Sequence, residues 1–229
     1  MNLFKKNFPL IAQQVSLLSR IYSTIHKYTI TRYKIKKKLN NAHRYLEIGP
    51  GDARIIGFET LNTIKTRTTD YVGDINDKLP FTSNQFNLVY ASHVIEHVFW
   101  YKISNVFSEF YRVLAPGGAL EIWVPNGLKI AKAFVDAELS NSQDYKLHDG
   151  WFRFNPAQDP CVWFNGRTYS YGDGYGTRGH HNIHLTAFSE RYLTELFIKA
   201  GFKDVRRLTS SECRGEDHGW INLGIRGTK

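Results

Sequence analysis

The sequence predicts an α/β domain built on a mainly parallel sheet, preceded by a basic helical arm. Three observations predict it. From residue 44 onward, apolar runs of strand length alternate with amphipathic stretches of helix length. Alternating β and α segments make a mainly parallel sheet covered by helices. The first apolar run, YLEI at residues 45–48, ends in Gly49-Pro50-Gly51-Asp52, the kind of glycine-rich turn at which such sheets hold small ligands. Third, the charge is divided. Of 30 Lys/Arg and 21 Asp/Glu, ten Lys/Arg and no acid fall in residues 1–44, so the rest of the chain is nearly balanced and the net charge of +9 belongs to the arm.

Residues 1–40 form the arm in this reading and residues 41–229 the domain. In the arm, Ile11, Val15, Leu18, Tyr22 and Ile25 recur at helical spacing, followed by Arg32, Lys34, Lys36, Lys37 and Lys38. Three readings stay open. The helix packs on the domain with its lysines in solvent, lies on an anionic membrane surface as a peripheral contact, or pairs with a second copy in a homo-oligomer.

Strands are expected near 44–48, 58–62, 70–73, 86–91, 119–124, 203–208 and 219–225, and helices near 94–113 and 189–200. Only a few residues separate Gly51 from Phe58, too few for a full helix, so the first crossover is abbreviated. Residues 140–185 read as an irregular aromatic lid with Trp151, Phe152, Phe154, Trp163, Phe164, Tyr169, Tyr171 and Tyr175. Loops of that length inside a domain are usually binding loops.

The bulk composition narrows the class. No run of about 18 apolar residues exists, so a spanning helix is not expected. The amino terminus lacks the unbroken apolar core and small-residue cleavage site of a signal peptide. Cys161 and Cys213 make no disulfide framework, so a reducing cytoplasm is the expected compartment. A balanced domain speaks against a nucleic-acid partner, which would call for positive charge around the cleft.

The glycine turn excludes two ligand classes. The dinucleotide fingerprint requires a third glycine where Arg54 stands, and Pro50 has no N–H to offer a pyrophosphate. No Gly-Lys-Ser/Thr follows, so a Walker loop is absent. Glu47, an acid inside a core strand just before the glycines, points to a ligand with a positive group. S-adenosylmethionine (SAM) carries an ammonium and a sulfonium and no phosphate.

The motifs LEIGPGD, DINDKLPFTSNQFNLVYASHVIEHV and RVLAPGGALEIWVPN, in that order over residues 44–126, resemble the class I SAM-dependent methyltransferases. They look most like a small branch, type 11-like, often linked to bacterial surface-polysaccharide synthesis. The ending FSERYLTELFIKAGFKDV is similar to that family's last helix and strand. The resemblance implies a Rossmann-like sheet of seven strands with helices on both faces and the last strand antiparallel. It implies that Glu47, Gly49 and Gly51 lie beside the methionine part of SAM, that Asp74 and Ile75 meet the adenine, and that Ala91, Ser92 and His93 face the sulfonium side. One position departs: Asn62 stands where an acid usually holds the ribose hydroxyls, and an amide offers one acceptor oxygen. Asp70 is the rival for that role. Plainer readings exist for Glu47, as a buried acid paired with an arginine, and for Asp74, as an ordinary turn residue.

Methyl transfer requires the acceptor to be held in line with the sulfonium. An oxygen acceptor gains from a base of near-neutral pKa, usually His. His93 and His181 are the candidates, among His97, His148, His180 and His184. His180-His181-x-x-His184 lacks the spacing of a zinc motif, so no metal is expected. The aromatic lid suits a sugar face, and with the polysaccharide-linked branch this favours a hydroxyl of a glycan or lipid-linked sugar as acceptor. A small-molecule or RNA acceptor is the alternative, although residues 140–185 balance four Lys/Arg with four Asp. A binding module that kept the fold but lost catalysis, suggested by Asn62, is the reading from another class.

Overall fold

The computed structural model describes residues 18, 21–39, 43–147, 155–169 and 183–229. The strands are β1 (Tyr45–Ile48), β2 (Glu59–Asn62), β3 (Tyr71–Val72), β4 (Phe86–Ser92), β5 (Leu114–Pro125), β6 (Lys203–Leu208) and β7 (Asn222–Thr228). They form one sheet in the order β3-β2-β1-β4-β5-β7-β6. β1 to β5 pair in parallel, and β7 runs antiparallel to both β5 and β6. This is the expected Rossmann-like sheet with its last strand reversed. The chain steps outward through β1, β2 and β3, then returns across β1 to β4. The order therefore reverses between β1 and β4, where a crevice opens at the carboxyl ends of the strands.

Both faces of β4 and β5 are buried, which is why these strands read as nearly continuous apolar runs. On one face, Val89, Ala91, Leu120 and Ile122 meet α2 (Ile103–Val113) and α6 (Glu190–Lys199). α2 buries Ile103, Val106, Phe107, Phe110 and Val113, spaced by three and four. On the other face, Leu88, Tyr90 and Trp123 pack with Phe58, Leu208, Ile55 and Cys213. The abbreviated first crossover thus lies against the sheet as a loop. Arg44 enters β1 with its guanidinium buried. Its Nε and Nη2 donate to the two oxygens of Glu59 at 2.9 and 3.0 Å, and the Tyr71 hydroxyl donates to the same carboxylate.

Three elements differ from the sequence-based expectation. The helix expected over 94–113 is broken into a 3-10 turn at Ile95–His97 and α2 from Ile103. The Glu96 carbonyl accepts Leu185 N–H and Thr186 N–H, at 2.7 and 3.1 Å, and so leaves the helical ladder. A helix not foreseen, α3 (Gly127–Ser140), starts at Asn126, whose side chain accepts from Lys129 N–H. Within the lid, α4 (Asp144–Leu147) and α5 (Pro160–Tyr169) are helical. Asp159 caps α5 by accepting Val162 N–H at 3.0 Å, with Pro160 in the first turn where its missing N–H does no harm. These helices and Trp220-Ile221 bury a satellite cluster around Tyr145 and Trp163.

The arm helix includes a π turn at Lys27–Thr31 and α1 (Arg32–Lys38). It docks through Ile35, buried in the main core, and through polar side chains. Thr31 Oγ1 accepts the Val72 N–H of edge strand β3, and Ser23 Oγ accepts Lys65 N–H. Lys34 and Lys38 pair with Asp70 and Glu59 at 3.6 Å each. The apolar stripe faces away from the domain: Leu18, Tyr22 and Ile25 are 65%, 53% and 55% exposed. No helix among the described residues is long and apolar enough to cross a membrane.

Candidate functional site

Four adjacent parallel strands bring their carboxyl ends to one edge, and the sequence-predicted residues sit there. Glu47 is buried in β1 opposite Tyr90 of β4. Its Oε2 accepts Ile55 N–H at 2.9 Å. Burial is the strongest influence on its carboxyl and raises the pKa, against the lowering effect of that hydrogen bond and of the Arg54 charge. Glu47 is not locked in a pair with arginine; Arg54 donates instead to Asp70 at 2.7 Å.

Gly49 and Gly51 follow with φ of +66° and +59°, a region that glycine enters without penalty. A Cβ on Gly49 would lie 2.5 Å from Val94 Cγ2, so the turn after β1 and the turn after β4 touch here. A Cβ on Gly51 would meet nothing within 4 Å. The backbone at Gly51 therefore borders open space beside the buried acid.

Asn62 ends β2, and its Oδ1 accepts Thr63 N–H at 2.8 Å. Asp70, the rival for the ribose position, is held by Arg54, Lys34 and the Thr60 N–H. Burial raises its pKa, but these partners outweigh it and hold it below the usual carboxylate value. Asp70 is therefore a structural acid, and Asn62 is the residue presented at the strand end. Asp74, just after β3, accepts Asn76 N–H and Nδ2 through Oδ1, at 2.8 and 2.9 Å. Its Oδ2 has no partner among the described residues. Ile75 is buried in the main core beside it.

At the end of β4, Ser92 is followed by His93 with φ of +53°. His93 Nε2 lies 2.7 Å from Asn222 Oδ1 and Nδ1 lies 3.3 Å from Glu96 Oε1. The ring lies against His218, with centroids 3.9 Å apart and planes tilted by 47°. Nε2 donates to the amide oxygen of Asn222, while Nδ1 faces the Glu96 carboxylate as an ion-pair contact. Burial lowers the tendency of the ring to charge, but Glu96 and Asn222 outweigh it and raise the pKa. The carboxylate of Glu96 beside the ring favours its charged form. His181, the other candidate base, lies outside the described residues, as do His148, His180, Trp151, Phe152, Phe154, Tyr171 and Tyr175.

Sequence reasoning did not place Glu96 among the site residues. It is almost fully buried. The signal that could have found it was local: an acid between two histidines, in SHVIEH, cannot be solvated if the histidines line a crevice.

A family model described as a methyltransferase domain matches residues 56–122, less than a third of the chain. The cofactor such a domain implies is SAM. The crevice fits that molecule: a buried acid with an incompletely used carboxylate for a cation, open backbone at Gly51, and a free carboxylate oxygen on Asp74 for an amino group. No curated protein matches. Among solved structures, a SAM-dependent methyltransferase and possible histamine N-methyltransferase from Thermotoga maritima is similar at 19% identity and a TM-score of 0.45 over 98% of this chain and 97% of that one. One from Methanosarcina mazei shares 17% identity at a TM-score of 0.48 over 86% and 96% of the two chains. One from Archaeoglobus fulgidus shares 14% at 0.45 over 90% and 94%.

Proposed function

We propose that this protein is a SAM-dependent methyltransferase that transfers the methyl group to a hydroxyl of a glycan or lipid-linked sugar. The observation that carries the transferase reading is the buried, singly hydrogen-bonded Glu47 beside the open Gly51 backbone at the β1/β4 switch point. SAM supplies a methyl group on a cationic sulfur, which is displaced by an in-line nucleophile. Glu47 would bind the ammonium end, Asp74 Oδ2 and the Ile75 side chain the adenine, and Asn62 the ribose. His93, held between Asn222 and Glu96, would line the acceptor end of the crevice beside Ser92. Gly49, in contact with Val94, keeps the two turns at fixed separation, so positioning supplies much of the rate.

Support for a sugar acceptor comes from the aromatic satellite at the same edge of the sheet. Phe134 and Phe164 stack at 4.5 Å, and Trp163 lies parallel to Trp220 at 6.4 Å. Trp163 is buried at the centre of this cluster, so the partly buried Phe134, Phe164 and Trp220 are the faces that would meet the apolar side of a sugar ring. Transfer of labelled methyl from SAM, screened against lipid-linked glycans, free sugars and RNA, is expected to label the glycan class. Asp74→Ala is expected to weaken SAM binding by about tenfold or more in calorimetric titration while the chain stays folded. Wild-type titration by Asp74→Ala, or label only in RNA, would reject the respective half of this reading. Absence of any SAM binding to the wild type would favour the non-catalytic module.

The arm supports a peripheral membrane contact. Leu18, Ile21, Tyr22 and Ile25 are exposed on it, and Arg32, Lys36 and Lys37 are exposed further along. Lys34 and Lys38 are used by the domain, so the lipid-facing charge is smaller than the sequence count. Sedimentation with anionic vesicles is expected to capture the protein at low salt. Ile21→Ser with Ile25→Ser should lower the captured fraction severalfold. Equal capture of this variant would remove the membrane role.

A further inference from the structure

Glu96 presents a problem that the cofactor crevice does not solve. It is 1% exposed, and neither carboxylate oxygen makes a hydrogen bond among the described residues. His93 Nδ1 approaches Oε1 at 3.3 Å as an ion pair without hydrogen-bond geometry. A buried carboxylate with its lone pairs unmet is costly by several kcal/mol. Something else must use those lone pairs.

Two histidines stand ready to share it. His97 comes from the same 3-10 turn as Glu96, and His184 from the segment crossing it. One ligand atom from each of Glu96, His97 and His184 can be chosen so that all three lie within 4.8 Å of one another. Each histidine is already oriented from behind. His97 Nδ1 lies 3.2 Å from the Ile183 carbonyl, so it donates there and leaves Nε2 with its lone pair. His184 makes a side-chain hydrogen bond to the backbone of Arg167, which occupies one nitrogen and leaves the other. A ring that gives one N–H to a carbonyl and keeps the other nitrogen bare is the arrangement metal-binding histidines adopt.

The scaffold that holds the three groups is braced. Leu185 N–H and Thr186 N–H both donate to the Glu96 carbonyl, and Thr186 Oγ1 donates to the Val98 carbonyl at 2.6 Å. The residues on either side of His184 are thereby pinned to the turn that carries Glu96 and His97. This bracing is also what broke the expected helix over 94–113. The two imidazoles and one carboxylate arise from two segments that neither pattern nor spacing links.

We propose that Glu96, His97 and His184 bind one divalent transition-metal ion of the zinc, iron(II) or manganese class. Two nitrogens and one oxygen suit such ions, whereas calcium and magnesium require mostly oxygen. Three protein ligands leave at least one coordination position for water or a substrate oxygen. Glu96 is also the partner of His93, so the ion would lie beside the acceptor end of the crevice. Resting on the methyltransferase reading above, the open position would take the acceptor hydroxyl and make it easier to deprotonate, its proton passing to solvent water. The sequence had argued for no metal from His180-His181-x-x-His184, and only His184 of that run takes part here.

The test does not depend on turnover. The full chain, stripped with chelator and dialysed, is titrated by calorimetry with zinc and manganese salts, and with iron(II) under anaerobic conditions. Metal content after gel filtration is read by mass spectrometry. One ion per chain is expected, with affinity reduced by about a hundredfold in both His184→Ala and Glu96→Gln. His184 is part-exposed, so the first variant should keep its fold, checked by circular dichroism. No stoichiometric binding of any of the three ions, or wild-type affinity in both variants, overturns the proposal. SAM is titrated separately. Metal binding without SAM binding leaves the site standing and rejects the methyltransferase reading; SAM binding with no metal does the reverse.

Discussion

Glu47→Gln is expected to raise the melting temperature of the cofactor-free protein while lowering its affinity for SAM by roughly ten- to a hundredfold. The two effects have one cause. Glu47 is 7% exposed and receives a single hydrogen bond, from Ile55 N–H. Burial raises its pKa, and the Ile55 hydrogen bond and Arg54 charge recover only part of that. The ionised form is therefore less welcome in the folded chain than in the unfolded one. The contribution of this group to stability is largest below the unfolded carboxyl pKa, about 4.3, and is lost as pH rises through the raised folded value. At neutral pH the folded chain carries the penalty. Glutamine is neutral and its Oε1 can still accept from Ile55, so the variant keeps the hydrogen bond and removes the charge. Each kcal/mol relieved corresponds to about 2–4 °C in a domain of this size.

A cation in the crevice offsets the same penalty in the wild type, so SAM affinity should rise with pH through the raised Glu47 value. The variant should show a flatter profile. Thermal melts and calorimetric titrations between about pH 4.5 and 8 measure both. A lower melting temperature with unchanged SAM affinity would mean that Glu47 is a structural acid with no part in binding.

Arg44→Ala should lower stability by about 3–5 kcal/mol, the range for leaving a buried charge without its partner. The guanidinium is 2% exposed. It forms a bidentate pair with Glu59, donates to Gln85 Oε1 at 2.7 Å, and lies 4.5 Å over the Phe86 ring. Burial would push the Glu59 carboxyl up, but the hydrogen bonds from Arg44 and Tyr71 outweigh it and hold it low. That contribution is present above the unfolded carboxyl pKa and is lost as pH falls through the depressed value. In Arg44→Ala the lowering partner is gone and the burial cost remains. The double variant Arg44→Leu/Glu59→Leu should recover most of the loss, since an apolar pair can replace a buried ion pair of similar volume. Urea unfolding of the three proteins measures this. Equal loss in the single and double variants would show that shape rather than charge makes the site sensitive. The network joins β1, β2 and β3, so its failure also loosens the strand ends that carry Gly49, Asn62 and Asp74.

The crevice could be read from the chain because its residues stand at the ends of short strands. Each is marked locally, by an apolar run and then by a glycine or an acid, and a parallel sheet brings such ends to one edge. Glu47, Gly49, Gly51, Asn62, Asp74, Ile75, Ser92 and His93 all lie there. The first crossover was legible from its length. The capping pair Asp159-Pro160 marked α5 just as plainly, but aromatic composition suggested a lid and hid the helix. α3 has weak apolar periodicity, and its start at Asn126 is visible mainly in the capping hydrogen bond.

Folding alone set the chemical state of these groups. Asp70 and Asn62 were alternatives for one role in the sequence, and only the packed chain shows Arg54 and Lys34 holding Asp70. His93 read as a candidate base, and the packed chain set its ring between Asn222 and Glu96. Glu96 stood out by no pattern until Leu185 and Thr186 bound its carbonyl and brought His184 beside His97. Alternation and turn chemistry act over a few residues, so a one-dimensional pattern carries the sheet and its edge. Protonation, desolvation and metal affinity depend on which distant groups share a volume of a few ångströms, and only the packed chain brings those groups together.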